Sequence, residues 1–160
     1  MLLEKAETIA NKYVELLNPF CKRIEIAGSI RRKKPEVKDI EIVCIRNVKT
    51  LFQFCAFIET LRVIKGEPTG KYLNINLEEG INIDLFMCFP DNWGYIFAIR
   101  TGSADFSHLV LANAWVKQGF KGDDGYLTRN GKKIAVKEEE DLFKLCKLEF
   151  IPPEMREVKF

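Results

Sequence analysis

The chain has 160 residues, 47% of them hydrophobic, and a formal net charge of +2. That length supports one domain, or one with a small appendage, and the hydrophobic share excludes a disordered chain. Apolar runs break off well short of the ~18 residues of a membrane span, and so small a net charge does not by itself announce a nucleic-acid binder. The opening "MLLEKAETIANK" turns acidic and amphipathic and reads as lacking a signal-peptide core. From Glu4 to Leu17, residues Ala6, Ile9, Ala10, Tyr13, Leu16 and Leu17 recur at helical spacing, and Pro19 marks the end. Ile24–Ala27 and Ile40–Ile45 read as strands. Thr50 is placed to cap a helix over Leu51 to Leu61, apolar on most sides and so expected to be well packed. Gly66, Pro68 and Gly70 mark a loop. "YLNINLEEGINIDLFMC" reads as a hairpin of Tyr72–Leu77 and Ile81–Cys88 around a Glu-Glu-Gly turn. A third helix is expected from near Ser103 to Lys117. After a turn-rich stretch comes a second hairpin at Asn130-Gly131, then a short helix over Glu138–Cys146 and an extended tail with Pro152-Pro153. The sheet-rich half closes near Pro90, which sets expected domains at 1–92 and 93–160.

The five cysteines, Cys21, Cys44, Cys55, Cys88 and Cys146, are scattered and contain no C-x-x-C pair. That argues against a zinc site or a disulfide framework and for a reducing, cytoplasmic setting. His108, the single histidine, reads as a surface or packing residue, and Trp93 and Trp115 as core.

The informative stretch is "IAGSIRRKKPEVKDIEIVC", Ile26 to Cys44. Alternate residues of a strand share a face, so Asp39, Glu41 and Val43 point one way and Ile40, Ile42 and Cys44 the other. The later strand repeats the pattern, with Ile81, Ile83, Leu85 and Met87 opposite Asn82, Asp84 and Phe86. If the two strands are neighbours, three carboxylates can converge. Taken alone, an Asp-x-Glu pair in a half-exposed strand is usually a solvated face. Converging carboxylates repel and lose hydration, so a cation is needed to hold them together. Residues two apart on a strand are separated by roughly 6.6 Å. Such a base can bracket two metal ions about 3.5–4 Å apart, the spacing used in phosphoryl transfer. All-oxygen ligands favour Mg²⁺ or Mn²⁺. Just upstream stand Gly28 and Ser29, with Arg31, Arg32, Lys33, Lys34 and Lys38. Glycine admits close approach to backbone, serine and free amides hold phosphate oxygens, and arginine forks them. A phosphate cradle beside an acid pair that binds metal has the chemistry of nucleotidyl transfer.

At this point "GSIRRKKPEVKDIEI" resembles the nucleotidyltransferase signature of family X DNA polymerases. "INIDLF" looks like the strand carrying their third catalytic aspartate, and "NWGYIFAIRTGS" like the entry to their thumb. The ending "EEEDLFKLCKLEFIPPEMRE" resembles the family's C-terminus. The resemblance covers nearly the whole chain, in the expected order. It implies an α+β fold: a nucleotidyltransferase palm, a small mixed sheet with helices on one side, then a helix-and-hairpin thumb. It implies that Asp39, Glu41 and Asp84 ligate two Mg²⁺ or Mn²⁺ ions, with Asp84 also taking the primer hydroxyl's proton. Gly28, Ser29 and Arg32, supported by Arg31, would hold the β- and γ-phosphates. Arg100, Thr101, Gly102, Ser103 and Ser107 would lie against the sugar and base. Four residues depart from the family pattern: Glu41 replaces an aspartate, Ile99-Arg100 an aromatic pair, and Ser107 an asparagine.

The expected function is therefore metal-dependent transfer of a nucleoside monophosphate from a dNTP, or an NTP, to a DNA 3′-hydroxyl. Short gap-filling in DNA repair is the expected use. Expected partners are a primer-template or gapped DNA, with no membrane, and the protein acting as a monomer. Two rivals stand beside this reading. One is a template-independent transferase acting on RNA, protein or a small hydroxyl compound; the other is a nucleotide- or DNA-binding module whose catalysis has lapsed.

Overall fold

The computed structural model describes residues 1–158. The chain forms two compact units, Met1–Cys88 and Phe89–Phe160.

In the first unit, helix α1 (Leu3–Leu17) buries Ala6, Ile9, Ala10, Tyr13 and Leu17, a stripe set by the 3.6-residue period. Leu16 falls outside that stripe and is exposed. Asn18-Pro19-Phe20 closes the helix as a 3₁₀ turn. Strand β1 (Cys21–Ile26), the one-turn helix α2 (Gly28–Arg31) and strand β2 (Asp39–Arg46) follow. Next come α3 (Leu51–Glu59), β3 (Arg62–Gly66), β4 (Tyr72–Asn76) and β5 (Asn82–Met87). The five strands make one mixed sheet in the order β1-β2-β5-β4-β3, in which only β2 and β5 run parallel. Ile40, Ile42, Cys44, Leu73, Ile75, Ile83, Leu85 and Met87 line one face. They form a single core with the buried stripe of α1 and with Phe54 and Ile58 of α3. Helices therefore cover that face, and alternation sends the polar side chains of β2, β4 and β5 to the other.

Three sequence-based expectations change here. Thr50 does not cap α3. Asn47 Oδ1 instead accepts the Lys49 amide at 3.1 Å, and a 3₁₀ turn over Val48–Thr50 leads into the helix. Nor is α3 packed on most sides: Phe54 and Ile58 are buried, whereas Phe52 is 84% exposed. Helix α3 also stops at Glu59 rather than Leu61, and β3 fills a stretch where the sequence predicts no element, ending on Gly66, which it marks as loop. Its Arg62, Ile64 and Lys65 are exposed, which suits an edge strand with no second layer to cover it.

The second unit opens with α4 (Trp93–Thr101), a helix the sequence reading missed. Trp93, Gly94, Tyr95, Phe97, Ala98 and Thr101 are all buried, so the segment has no polar face to reveal its period. Gly94 makes this packing possible, because a Cβ there would lie 2.2 Å from the Glu138 carbonyl oxygen. A π-helical stretch over Phe106–Ala112 then runs into α5 (Asn113–Lys117), where the third helix was expected. Strands β6 (Lys121–Asp123), β7 (Tyr126–Arg129) and β8 (Lys132–Ile134) form an antiparallel sheet, with Asn130-Gly131 at the β7–β8 turn. Helix α6 (Glu139–Leu145) carries a capping box between Glu138 and Asp141. Arg156 is fully buried against Glu139 and donates from Nε to the Ile151 carbonyl at 2.8 Å. Trp93 and Trp115 are core residues, and His108 is exposed.

Candidate active site

The parallel pairing of β2 with β5 decides what lies on the open face of the first unit's sheet. Asp39 pairs with Asn82, Glu41 with Asp84 and Val43 with Phe86, so the three acids share that face. The loop before Asp39 is fixed at its base, because Val37 is buried, its amide donates to the Met1 carbonyl at 2.8 Å, and the Leu3 amide donates to Pro35.

The acids are not equivalent. Asp39 is the outermost, and its carboxyl is held above the ordinary aspartate value by partial desolvation and then by the negative charge of Asp84, against the pull of Lys38. Asp84 is tied down instead. Tyr72 donates its hydroxyl to Asp84 Oδ1, and Asn74 Nδ2 donates to the same oxygen at 2.8 Å. The Tyr72 phenol is pushed up to about 12 by burial, by that hydrogen bond and by the charge of Asp84. The amides continue across the strands, with Asn82 Nδ2 donating to Asn74 Oδ1 at 3.5 Å and Asn76 Nδ2 to Asn82 Oδ1 at 2.8 Å. None of these β4 residues was named from the sequence. Their signal was present in the alternation of "YLNIN", which puts Tyr72, Asn74 and Asn76 on one face. It became readable once Asn74 was seen to pair with Asp84.

Glu41 turns elsewhere. Strand β1 extends by the Ala27 amide donating to the Glu41 carbonyl at 2.8 Å, which hangs the Gly28 turn beside residue 41. A Cβ on Gly28 would lie 2.9 Å from Glu41 Cδ and 3.0 Å from its Cβ and Oε2. The Glu41 side chain therefore packs directly on the Gly28 Cα. Gly28 also has φ +62°, a left-handed conformation that glycine adopts without steric penalty. Ser29, Arg31 and Arg32 are half-buried on the same turn. Among the described residues no three of the His, Cys, Asp and Glu side chains stand close enough to hold a metal ion together. The donor chemistry nevertheless fits a hard divalent cation: the ligands are oxygens, and Asp39 and Asp84 already repel each other.

The remaining predicted residues belong to the second unit. Arg100 is exposed at the end of α4, and Thr101 is fully buried. Ser103 Oγ accepts the Phe106 amide at 3.1 Å, capping the helix that follows. Ser107 Oγ donates to the Ile99 carbonyl at 2.8 Å. Gly102 lies between them, since a Cβ there would meet Phe106 Cδ1 at 2.7 Å and Ser107 Oγ at 2.9 Å.

Comparison with known proteins bears on the fold. Two solved structures of Leishmania infantum polymerase beta superpose on 98% of the chain. The ternary P/T complex does so at 16% identity and TM-score 0.73, covering 76% of that protein. The ternary gap complex does so at 15% identity and TM-score 0.74, covering 70%. The chain has the fold of polymerase beta. Residues 97–157 also match the family model described as DNA polymerase beta thumb. The polymerase beta likeness therefore rests on two supports: a superposition over nearly the whole chain, and a thumb recognised in the sequence of the second unit. No curated protein matches the sequence. No helix among the described residues is long and apolar enough to cross a membrane.

Proposed function

We propose that the protein is a nucleotidyltransferase of the polymerase type, adding nucleoside monophosphates to a DNA 3′-hydroxyl. The first unit would be the palm and the second the thumb. The observation that carries the reading is the parallel β2–β5 pair, which sets Asp39, Glu41 and Asp84 on one open face beside the Gly28-Ser29 turn. In the reaction the 3′-oxygen attacks the α-phosphorus of the triphosphate, its proton passes to a carboxylate, and the bond to the bridging oxygen breaks to release pyrophosphate. Asp84 is the carboxylate suited to accept that proton, because Tyr72 and Asn74 fix its orientation through Oδ1. Asp39, Glu41 and Asp84 would hold Mg²⁺ or Mn²⁺, which when bound neutralises charge developing on the transferred phosphoryl group. Ser29, Arg31 and Arg32 would hold the β- and γ-phosphates, with Gly28 giving the backbone access. The Arg100–Ser103 turn and Ser107 would serve the sugar and base. Lys132, Lys133, Lys137, Lys144 and Lys147, all exposed, would meet the DNA backbone.

Use on short gaps in DNA repair is supported by the Leishmania polymerase beta structures, which are P/T and gap complexes. The test is extension of a labelled primer, alone, templated or gapped, with each dNTP or NTP and Mg²⁺ or Mn²⁺. Templated or gapped extension is expected, and Asp84→Ala should fold normally while losing about 10³-fold or more. Extension confined to single strands or RNA would replace this reading with template-independent transfer. Near-normal extension by Asp84→Ala would move the site elsewhere.

A further inference from the structure

In-line displacement puts the attacking oxygen and the departing pyrophosphate on opposite sides of the α-phosphorus. In the proposed reaction the β- and γ-phosphates lie on the Gly28–Ser29 turn, which follows β1, and β1 is on the other side of β2 from β5. The primer end then approaches from the far side of the acids, over β5, β4 and β3. The strand registers give the side chains that stand there. Asp39 pairs with Asn82, Asn82 with Asn76 and Asn76 with Arg62, so these four form one row across the open face. A second row runs from Glu41 through Asp84 and Asn74 to Lys65, the irregularity between Val63 and Lys65 setting Lys65 opposite Asn74. Each row therefore carries acid at one end, amide in the middle and a cation on β3. Arg62 and Lys65 are both exposed, and β3 contains no acid.

We propose that the edge strand β3 is a track for the primer strand, on which Arg62 and Lys65 hold backbone phosphates and so direct the 3′-hydroxyl at Asp84. The inference rests on the reading of the Gly28–Ser29 turn as the triphosphate site, which fixes the direction of attack. At about 4.8 Å per strand, Lys65 stands two strands, or about 10 Å, from Asp84, and Arg62 three strands, or about 14 Å, from Asp39. One strand of a duplex advances about 3.4 Å along its axis per nucleotide, so both cations fall against the last four nucleotides of the primer. The neutral amides of Asn74, Asn76 and Asn82 separate the acids from the cations. A polyanion therefore meets attraction at β3 and hydrogen-bonding groups on the way to the metal-binding acids, with no further carboxylate in either row. Phosphates carry no base identity, so this contact positions the primer without reading its sequence.

The experiment is binding of a fluorescent gapped primer-template, followed by anisotropy over a range of salt, to wild type, Arg62→Gln, Lys65→Gln and Lys22→Gln. Lys22 is exposed on β1, the opposite edge of the same sheet, and controls for loss of one positive charge. Thermal unfolding checks that each variant is folded. Each β3 substitution should weaken binding about five-fold near 0.15 M salt and lower the salt slope by about one, the share of a single phosphate contact. Lys22→Gln should change neither. Primers in which one of the last four phosphates is replaced by a neutral methylphosphonate then locate the contacts. The phosphate held by Arg62 should cost wild type about five-fold when neutralised and cost Arg62→Gln nothing further, and Lys65 should behave alike at its own position. An equal loss from Lys22→Gln would overturn the track in favour of general attraction. Unchanged binding by both β3 variants, or losses that add to those of every methylphosphonate, would overturn it outright. Extension of the same gapped primer by wild type separates the two levels. Normal extension with unaltered β3 variants removes the track alone, whereas no extension removes the nucleotidyl-transfer reading with it.

Discussion

Replacing Gly28 by alanine tests the contact on which the site's geometry depends. Two separate penalties follow from the structure. With φ at +62°, any side chain at position 28 sits in the left-handed region, which costs about 1–2 kcal/mol for an L-residue. The new methyl would also lie 2.9 Å from Glu41 Cδ and 3.0 Å from Cβ and Oε2, and overpacking of this kind costs about 1–3 kcal/mol. Gly28→Ala should therefore lose about 2–5 kcal/mol. The two penalties separate in a double-mutant cycle with Glu41→Asp. The backbone penalty is the same in both backgrounds, whereas the shorter acid withdraws from the contact and leaves mainly the Cβ approach. A coupling of about 1 kcal/mol is expected, within the range for touching residues. Urea unfolding of the four proteins measures it. In thermal unfolding each kcal/mol should appear as about 2–4 °C at this chain length. Equal losses with and without the Glu41→Asp substitution would refute the contact, and a Gly28→Ala loss below about 0.5 kcal/mol would refute the whole account.

Stability should fall with pH in the metal-free protein as Asp39 ionises. Its folded value lies above its unfolded one, so the fold binds the proton more tightly; the penalty is absent below the unfolded value near 3.8 and complete above the raised one. Asp39→Asn should flatten that part of the stability–pH curve, and an unchanged curve would show that the repulsion is not felt. Arg32→Lys keeps charge but loses the planar fork, so it should raise the apparent nucleotide KM while leaving the salt dependence of primer-template binding unchanged. A lower salt slope with unchanged KM would assign Arg32 to DNA. Preference for a dNTP over its NTP should stay within about 10²-fold in kcat/KM if, as proposed, the Arg100–Ser103 turn serves the sugar, since arginine there offers no aromatic ring to pack on it, and Arg100→Phe should sharpen it. A wild-type ratio above about 10⁴ would show that another group gates the sugar.

The sequence by itself settled whatever depends on a local period. Alternation assigned Asp39, Glu41 and Asp84 to polar faces, helical spacing gave the buried stripe of α1, and Asn130-Gly131 marked the second hairpin. These follow from backbone geometry that repeats every 2 or 3.6 residues whatever the rest of the chain does. The motif order led to the family X polymerase resemblance before any pairing between strands was known. Other features needed the tertiary structure, because they arise between segments distant in sequence. Only the sheet order sets β5 beside β2, and with it Asp84 opposite Glu41 and Asn74 opposite Asp84. Helix α4 escaped because burial on nearly every side leaves no amphipathic trace, and its closeness to Glu138 hangs on Gly94. Strand β3 escaped because an edge strand with exposed Ile64 and Lys65 shows no clean alternation. The direction of the Glu41 side chain could not be read from alternation at all. Strand periodicity fixes the face a residue leaves from, and neighbours such as Gly28 fix where its far end comes to rest.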